Sequence, residues 1–433
     1  MAGRACGRFG LLTALLVGIA VVPAAALAQP QQIEVFDPEE CGKEPLISES
    51  DFDEFRRQER SFRDALKSGS LSKGELDALA AGADHYVFGL TLEDKRNEMT
   101  REIPDVVRSM NLFGTPNAKA ALNEMFVERL VEVLRQCSFS ERLAAMVFLE
   151  QLEARPYDNK SKTPPEPYWQ AGPVMVAVLE NPKEKAAIKV RAARGLGRIF
   201  ANGDPPRPEY DRMMRRTVAA LNGMLDGTLP VVGAANNESA LYVPILDALG
   251  NLDTPVTLNL QPIAVETMVR ILNDPKQTDI VRATAALSLS RTPLAQESTF
   301  DIQPIVEAEM RFLRDLAKRY NENPKVWSHR WAVAYVTLSF VPPNQTGIAD
   351  GDGWVEMTKT PTFRGASDFI NSAYEVVRPI TQTVMANRPL EPATIPDDQI
   401  AAIDNWLADH QSDGTVHKDI PKLAFQPASP DGN

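Results

Sequence analysis

Residues suited to chemistry are few in this chain, and their spacing points to no reaction. The four histidines are His85, His329, His410 and His417. None belongs to a His-Glu-x-x-His pair, which would put two imidazoles on one helical face for zinc, and no Cys-x-x-Cys-His haem site occurs. His410 and His417, with Asp409 and Asp413, could ligate a metal in principle. They straddle a helix end, however, where a solvated surface is the ordinary reading. His329, beside Arg330 and Trp331, opens a helix and is expected to pack or cap. Asp350-Gly351-Asp352-Gly353 starts like a calcium loop, but the later alternating ligands are missing and Pro361 stands where the loop needs glutamate. Ser68-Gly69-Ser70 reads as a turn, and both the Gly-x-Ser-x-Gly elbow and the Walker A loop are absent. No catalytic residue, metal site or cofactor is assigned, and the chain leans away from the enzymes.

The first 28 residues have a different character from the rest. Arg4 and Arg8 precede a largely apolar stretch from Leu11 to Val22; Pro23 breaks it, and Ala26-Leu27-Ala28 has the small-x-small form of a signal-peptidase site. Twelve residues are too few to cross a hydrocarbon core of roughly 30 Å as a helix. The segment is therefore expected to direct export to the periplasm or beyond and to leave a mature chain that starts at Gln29, without stable membrane insertion. Losing Arg4 and Arg8 takes the formal charge from −12 to −14. Such a surface repels phosphate backbones, which argues against nucleic acid as a partner. Cys41 and Cys137 remain after processing; they could pair in an oxidising compartment, or Cys137 could simply be a small buried residue.

The elements behind these residues are helical. Residues 29–47, with Pro30, Pro38 and Pro45, read as an extended leader. Ser48 or Ser50 caps a helix running to about Lys67, with Phe52, Phe55, Phe62 and Leu66 on one face, and Ser72 with Glu75 makes a capping box for the next. The N-terminal helical region extends to residue 119. The only strand candidates, Leu229 to Val232 and Thr257 to Leu260, are too short to build a sheet.

From about residue 120 to 341 a longer period appears. Val176 to Gly197 and Val269 to Leu289 each combine an apolar helix, an Asn-Pro-Lys or Asp-Pro-Lys turn, and an alanine-rich second helix that opens with Val190-Arg191-Ala192 or Val281-Arg282-Ala283. Leu196-Gly197 recurs as Leu249-Gly250, and fainter copies run from Glu141 to Leu152 and from His329 to Leu338, so units follow one another every 38 to 53 residues. These residues resemble HEAT repeats, whose period is roughly 40–47 residues. Pro244 stands where the motif has arginine, and the inter-repeat loops are long. The resemblance implies an all-α fold, an α-solenoid of stacked antiparallel helix pairs that serves as a binding scaffold; it implies no reaction.

The same architecture follows from the residues. Alanines at positions 192, 193, 283, 285 and 286 allow close helix approach, and Val190, Leu196, Ile199, Val281, Leu287 and Leu289 form an apolar face that one pair cannot bury alone. Asp279 is placed to cap its helix. Arg191 and Arg282 sit where the helix dipole disfavours cations, so a neighbouring carboxylate or carbonyl is expected to hold each. They read as a structural ladder, with a ligand-binding row as the alternative. Turns inside pairs are mostly short, as at 181–187 and 274–279. Connections between pairs, at 154–172, 201–211, 291–304 and 342–363, are long and would gather on one edge with Tyr157, Tyr168, Trp169, Tyr210 and Trp354 as candidate partner-binding aromatics. Residues 364–411 supply capping helices, with Pro379 inside the first segment, and 412–433 read as a disordered tail.

The function that follows is an exported, non-enzymatic scaffold whose partner is another protein. One alternative is an enzyme or a small-ligand or metal-binding protein with its site in the irregular loops or N-terminal helices; another is a self-assembling envelope component. Mass spectrometry of the exported chain should find an N-terminus at or next to Gln29, and a chain retaining Leu11 to Val22 would overturn the export reading.

Overall fold

Amphipathic helices begin where the capping residues place them. In the computed structural model, which describes residues 44–234, 237–341, 353–386, 393–420 and 422–425, Ser48 accepts the Asp51 amide and opens α1 (Glu49–Lys67). Phe52, Phe55, Phe62 and Leu66 are all buried. Ser72 and Glu75 form the capping box of α2 (Lys73–Phe88). His85 of α2 is stacked on Phe52 and Phe55, with ring centroids 4.2 and 4.4 Å away. Burial pushes its pKa down to about 4, so it is a neutral core residue. Helices α3 (Arg96–Phe113) and α4 (Pro116–Gln136) follow, the latter capped by Thr115 with Pro116 in the first turn, where a missing N–H costs nothing. Buried Cys137 closes α4. The expected export signal over residues 1–28, Cys41 and the calcium-like tetrapeptide up to Asp352 lie outside the described residues.

Beyond α4 the helices sort into two rows. The first holds α5 (Phe139–Gln151), α7 (Ala186–Asn202), α9 (Ser239–Gly250), α11 (Asp279–Arg291), α13 (Trp327–Phe340) and α15 (Ser367–Ala386), each packed against the next. The second holds α6 (Gly172–Glu180), α8 (Arg207–Leu225), α10 (Ile263–Asn273), α12 (Gln303–Glu322) and α16 (Asp397–Asp409), again in succession, while α14 (Trp354–Met357) is a single turn beside α13 and α15. The described residues are thus mostly helical, an all-α fold with one small antiparallel pair, β1 (Glu153–Arg155) and β2 (Glu166–Pro167), that closes the α5–α6 connection. Leu229–Val232 and Thr257–Leu260 form no strand. No helix among the described residues is long and apolar enough to cross a membrane.

Small residues set the spacing of the first row. Ala192, Ala193, Ala283, Ala285 and Ala286 are completely buried. A Cβ added at Gly197 would lie 3.3 Å from the Ala248 Cα of α9, and one at Gly250 would lie 2.8 Å from the Ser288 Cα of α11. The Leu-Gly steps therefore mark where successive helices come closest. Leu196, Ile199, Val281, Leu287 and Leu289 are buried as the apolar pattern requires, but Val190 is half-exposed. The buried stripe of α7 runs through Ile188, Ala192, Leu196 and Ile199, and on that register Lys189, not Val190, turns inward. Its long aliphatic stem fills the space, and burial pulls the ammonium pKa down to about 8.

Three further expectations need correction. Connections do not divide cleanly into short and long classes: 203–206 alone joins α7 to α8, whereas 226–238 joins α8 to α9. Pro206 starts α8 early and draws Tyr210 out of the loop into the helix. Asp279 is the first residue of α11, not its cap, because its carboxylate is taken up elsewhere; Thr278 holds the cap position without a side-chain hydrogen bond. Finally, residues 412–425 do not hang free. Val416, Leu423 and Phe425 are buried, Asp301 donates its amide to the Val416 carbonyl at 2.9 Å, and Ser412 donates to Glu307 at 2.8 Å through its backbone amide. Three apolar residues at short intervals anchor this segment beside the start of α12.

Leu196→Ala should destabilise the protein by about 2–5 kcal/mol. Gly250→Ala, normally a helix-favouring change, should cost about 1–3 kcal/mol because the added methyl meets backbone. Val190→Ala should cost less than either. Denaturant midpoints of the three variants check the ranking, and a Gly250→Ala protein as stable as its parent would contradict the α9–α11 contact.

Candidate functional site

A cleft of about 670 Å3 opens where the α10–α11 turn meets α12 and the first turn of α13. Charged groups line it from three sides. Asp279 is the hub: Arg319 donates to both its oxygens, at 2.7 and 3.2 Å, and His329 Nε2 lies 3.3 Å from the second. This bidentate pair is what removes Asp279 from capping duty. Arg311 is held by Glu307, and Arg314 donates to Asp315 at 2.9 Å. His329 Nδ1 is buried without a hydrogen-bond partner.

Arg282 departs from that pattern. Its Nε donates to the Leu272 carbonyl at 2.9 Å, and its guanidinium lies 4.3 Å from the centre of the Phe312 ring. Among the described residues no carboxylate stands within ion-pair distance of it. Burial, and after it the Arg319 charge, lowers its pKa from the ordinary arginine value. In the earlier repeat the corresponding Arg191 does have a carboxylate, Glu150 of α5, at 3.3 Å. The expected local compensation is therefore a carboxylate in one case and only a carbonyl in the other. Arg142 in the first copy pairs with Glu184 of the next turn, both fully buried.

The loop aromatics do not come together. Tyr157 is exposed, and Tyr168 and Trp169 are half-buried beside β2. Tyr210 and Trp354 are buried and are corrected here from partner-binding to packing residues. Tyr210 stacks edge-on to Phe200 and accepts the Asp253 amide at 2.7 Å, and Trp354 donates its indole N–H to Glu309 at 3.0 Å. Two exposed tryptophans lie elsewhere, Trp327 and Trp331 on α13, 53% and 41% accessible, edge to face with ring centres 6.0 Å apart. Trp331 falls in the stretch from His329 to Leu338 that the sequence offers as a faint repeat copy, and Trp327 lies just before it. His410 stacks on Trp406 and His417 meets Phe300 edge to face, in different surroundings. Among the described residues no cluster of three or more His, Cys, Asp or Glu is arranged to hold a metal ion.

Behind the cleft, α12 buries a second carboxylate. Glu309 is completely enclosed and accepts hydrogen bonds from Ser339 Oγ at 2.8 Å and Trp354 Nε1 at 3.0 Å. Burial outweighs both bonds and pushes its pKa up to about 8. Comparison with known proteins yields no relative: no family model, curated sequence or solved structure matches the chain.

A carboxyl group whose pKa is higher folded than unfolded binds its proton more tightly in the native state. Its contribution to stability is fullest below the ordinary carboxylate range and is lost as pH rises toward 8. Between pH 5 and 8 the melting temperature of the parent should therefore fall more steeply than that of Glu309→Gln. Parallel pH profiles for the two proteins would refute this assignment.

Proposed function

We propose that the chain is an exported HEAT-like α-solenoid that binds another protein and performs no chemistry of its own. The observation that carries this reading is the succession α5–α7–α9–α11–α13–α15, each helix packed on the next, with the α7–α9 and α9–α11 contacts made close by Gly197 and Gly250. Repeats of this kind gain stability from their neighbours and leave side chains on the free faces available for recognition. Trp327 and Trp331 supply such a surface. Two adjacent exposed indoles carry no evident role in folding, and tryptophan is among the residues most enriched where binding energy concentrates. The acidic composition and the export segment favour a partner outside the cytoplasm and disfavour nucleic acid.

Affinity capture from the native envelope fraction tests the proposal. The parent protein should retain a stoichiometric partner that a Trp327→Ala/Trp331→Ala double variant loses, with an unchanged melting temperature. A partner held equally by both proteins would remove the tryptophan surface from the reading. Solution mass rising with concentration, without any second protein, would favour the self-assembling envelope component instead.

A further inference from the structure

We infer that the cleft between α10, α11, α12 and α13 is a carboxylate-binding site with Arg282 as its anchoring cation. The inference goes beyond the scaffold reading and does not depend on it.

Three features of the cleft point to an anion. Its arginines are unequal: Arg311, Arg314 and Arg319 are each tied to an acidic side chain, while Arg282 commits only Nε, to a backbone carbonyl. Its two Nη groups have no protein acceptor among the described residues, so the fork that matches a carboxylate is open. Second, Phe312 lies under the guanidinium and holds it flat, which reduces the conformational freedom lost on pairing. Third, two helices begin at the cleft. Thr278 and Val326 occupy the cap positions of α11 and α13 without side-chain caps, so the first-turn amides and both helix dipoles add positive potential there. Arg191, two repeats earlier, shares the Val-Arg-Ala run but is answered by Glu150 at 3.3 Å, whereas no carboxylate of the described residues stands at ion-pair distance from Arg282.

The chemistry of the walls narrows the ligand. One open guanidinium fork suits a single carboxylate, whereas a phosphate dianion would bring its second charge toward Asp279 and Asp315, which line the same cavity. Leu272, Pro275, Ala308 and Phe312 provide apolar wall for a hydrocarbon or aromatic body attached to the acid. A volume of about 670 Å3 accommodates such a body rather than a bare ion. The carboxylate can arrive on a free small acid or on an acidic side chain of a partner protein, and the chemistry of recognition is shared.

Calorimetric titration of the mature protein with benzoate, with N-acetyl-Phe-Glu-Phe-amide and with inorganic phosphate tests this. At least one of the two carboxylate probes should bind, and its affinity should fall about tenfold or more in Arg282→Gln, the loss expected for a charged bidentate contact. Benzoate alone binding would identify a free acid as the source, and the peptide binding more tightly than benzoate would identify a partner side chain. Hydrogen exchange on the parent provides a readout that does not rely on the variant's fold: the bound probe should slow exchange at the first-turn amides from Asp279 to Val281. The inference is overturned by no heat from either carboxylate probe, by affinity unchanged in a folded Arg282→Gln, or by phosphate binding more tightly than both. Binding without protection at those amides would likewise overturn it.

Discussion

Backbone-to-backbone proximity between successive helices of the first row is the constraint on which the rest of this molecule depends. Where α7 meets α9 and α9 meets α11, the contact leaves no room for a Cβ at Gly250 and little at Gly197. Helices that approach so closely must present alanine, glycine or serine at the seam, and they bury the larger leucines and isoleucines on either side of it. The seam fixes the position of α13 against α11, and hence the distance across which His329 and Asp279 face each other. The charged cleft is thus a product of helix spacing, with its arginines supplied mainly by α12 and its acidic hub by the start of α11.

Much of this was legible from the residues. The capping box at Ser72 and Glu75, the phenylalanine face of α1 and the alanine seams follow from local spacing, because each is decided by neighbours within one or two turns. What escaped was set by distant contacts. Val190 looked like a core residue because it precedes an arginine and an alanine, but the helix register puts Lys189 inside. Residues 412–425 looked like the start of a tail because Pro427, Pro430 and Gly432 follow them closely, yet Val416, Leu423 and Phe425 find a docking surface about a hundred positions earlier. No local pattern announces a partner so remote.

The candidate site was harder to read for the same reason. Arg282 and Arg191 share the Val-Arg-Ala run, and only the helix packed above each decides whether a carboxylate answers it. Likewise Glu309 sits in an ordinary amphipathic helix, and its enclosure becomes visible only when Ser339 and Trp354 close over it. Aromatic residues in the connecting segments suggested a binding edge, but Tyr210 and Trp354 use their polar atoms to fasten their own surroundings.

The docking of residues 412–425 bears on how the chain acquires its structure. Most helix contacts join segments within about two repeats and can form as soon as those repeats leave the ribosome. The Ser412–Glu307 and His417–Thr299 contacts cannot, since more than a hundred further residues must be synthesised first. Until then α12 presents Glu307 without its last two donors and Phe300 without the ring that covers it. A chain that stops before Ser412 would therefore expose an incompletely satisfied carboxylate at Glu307 and an uncovered ring at Phe300.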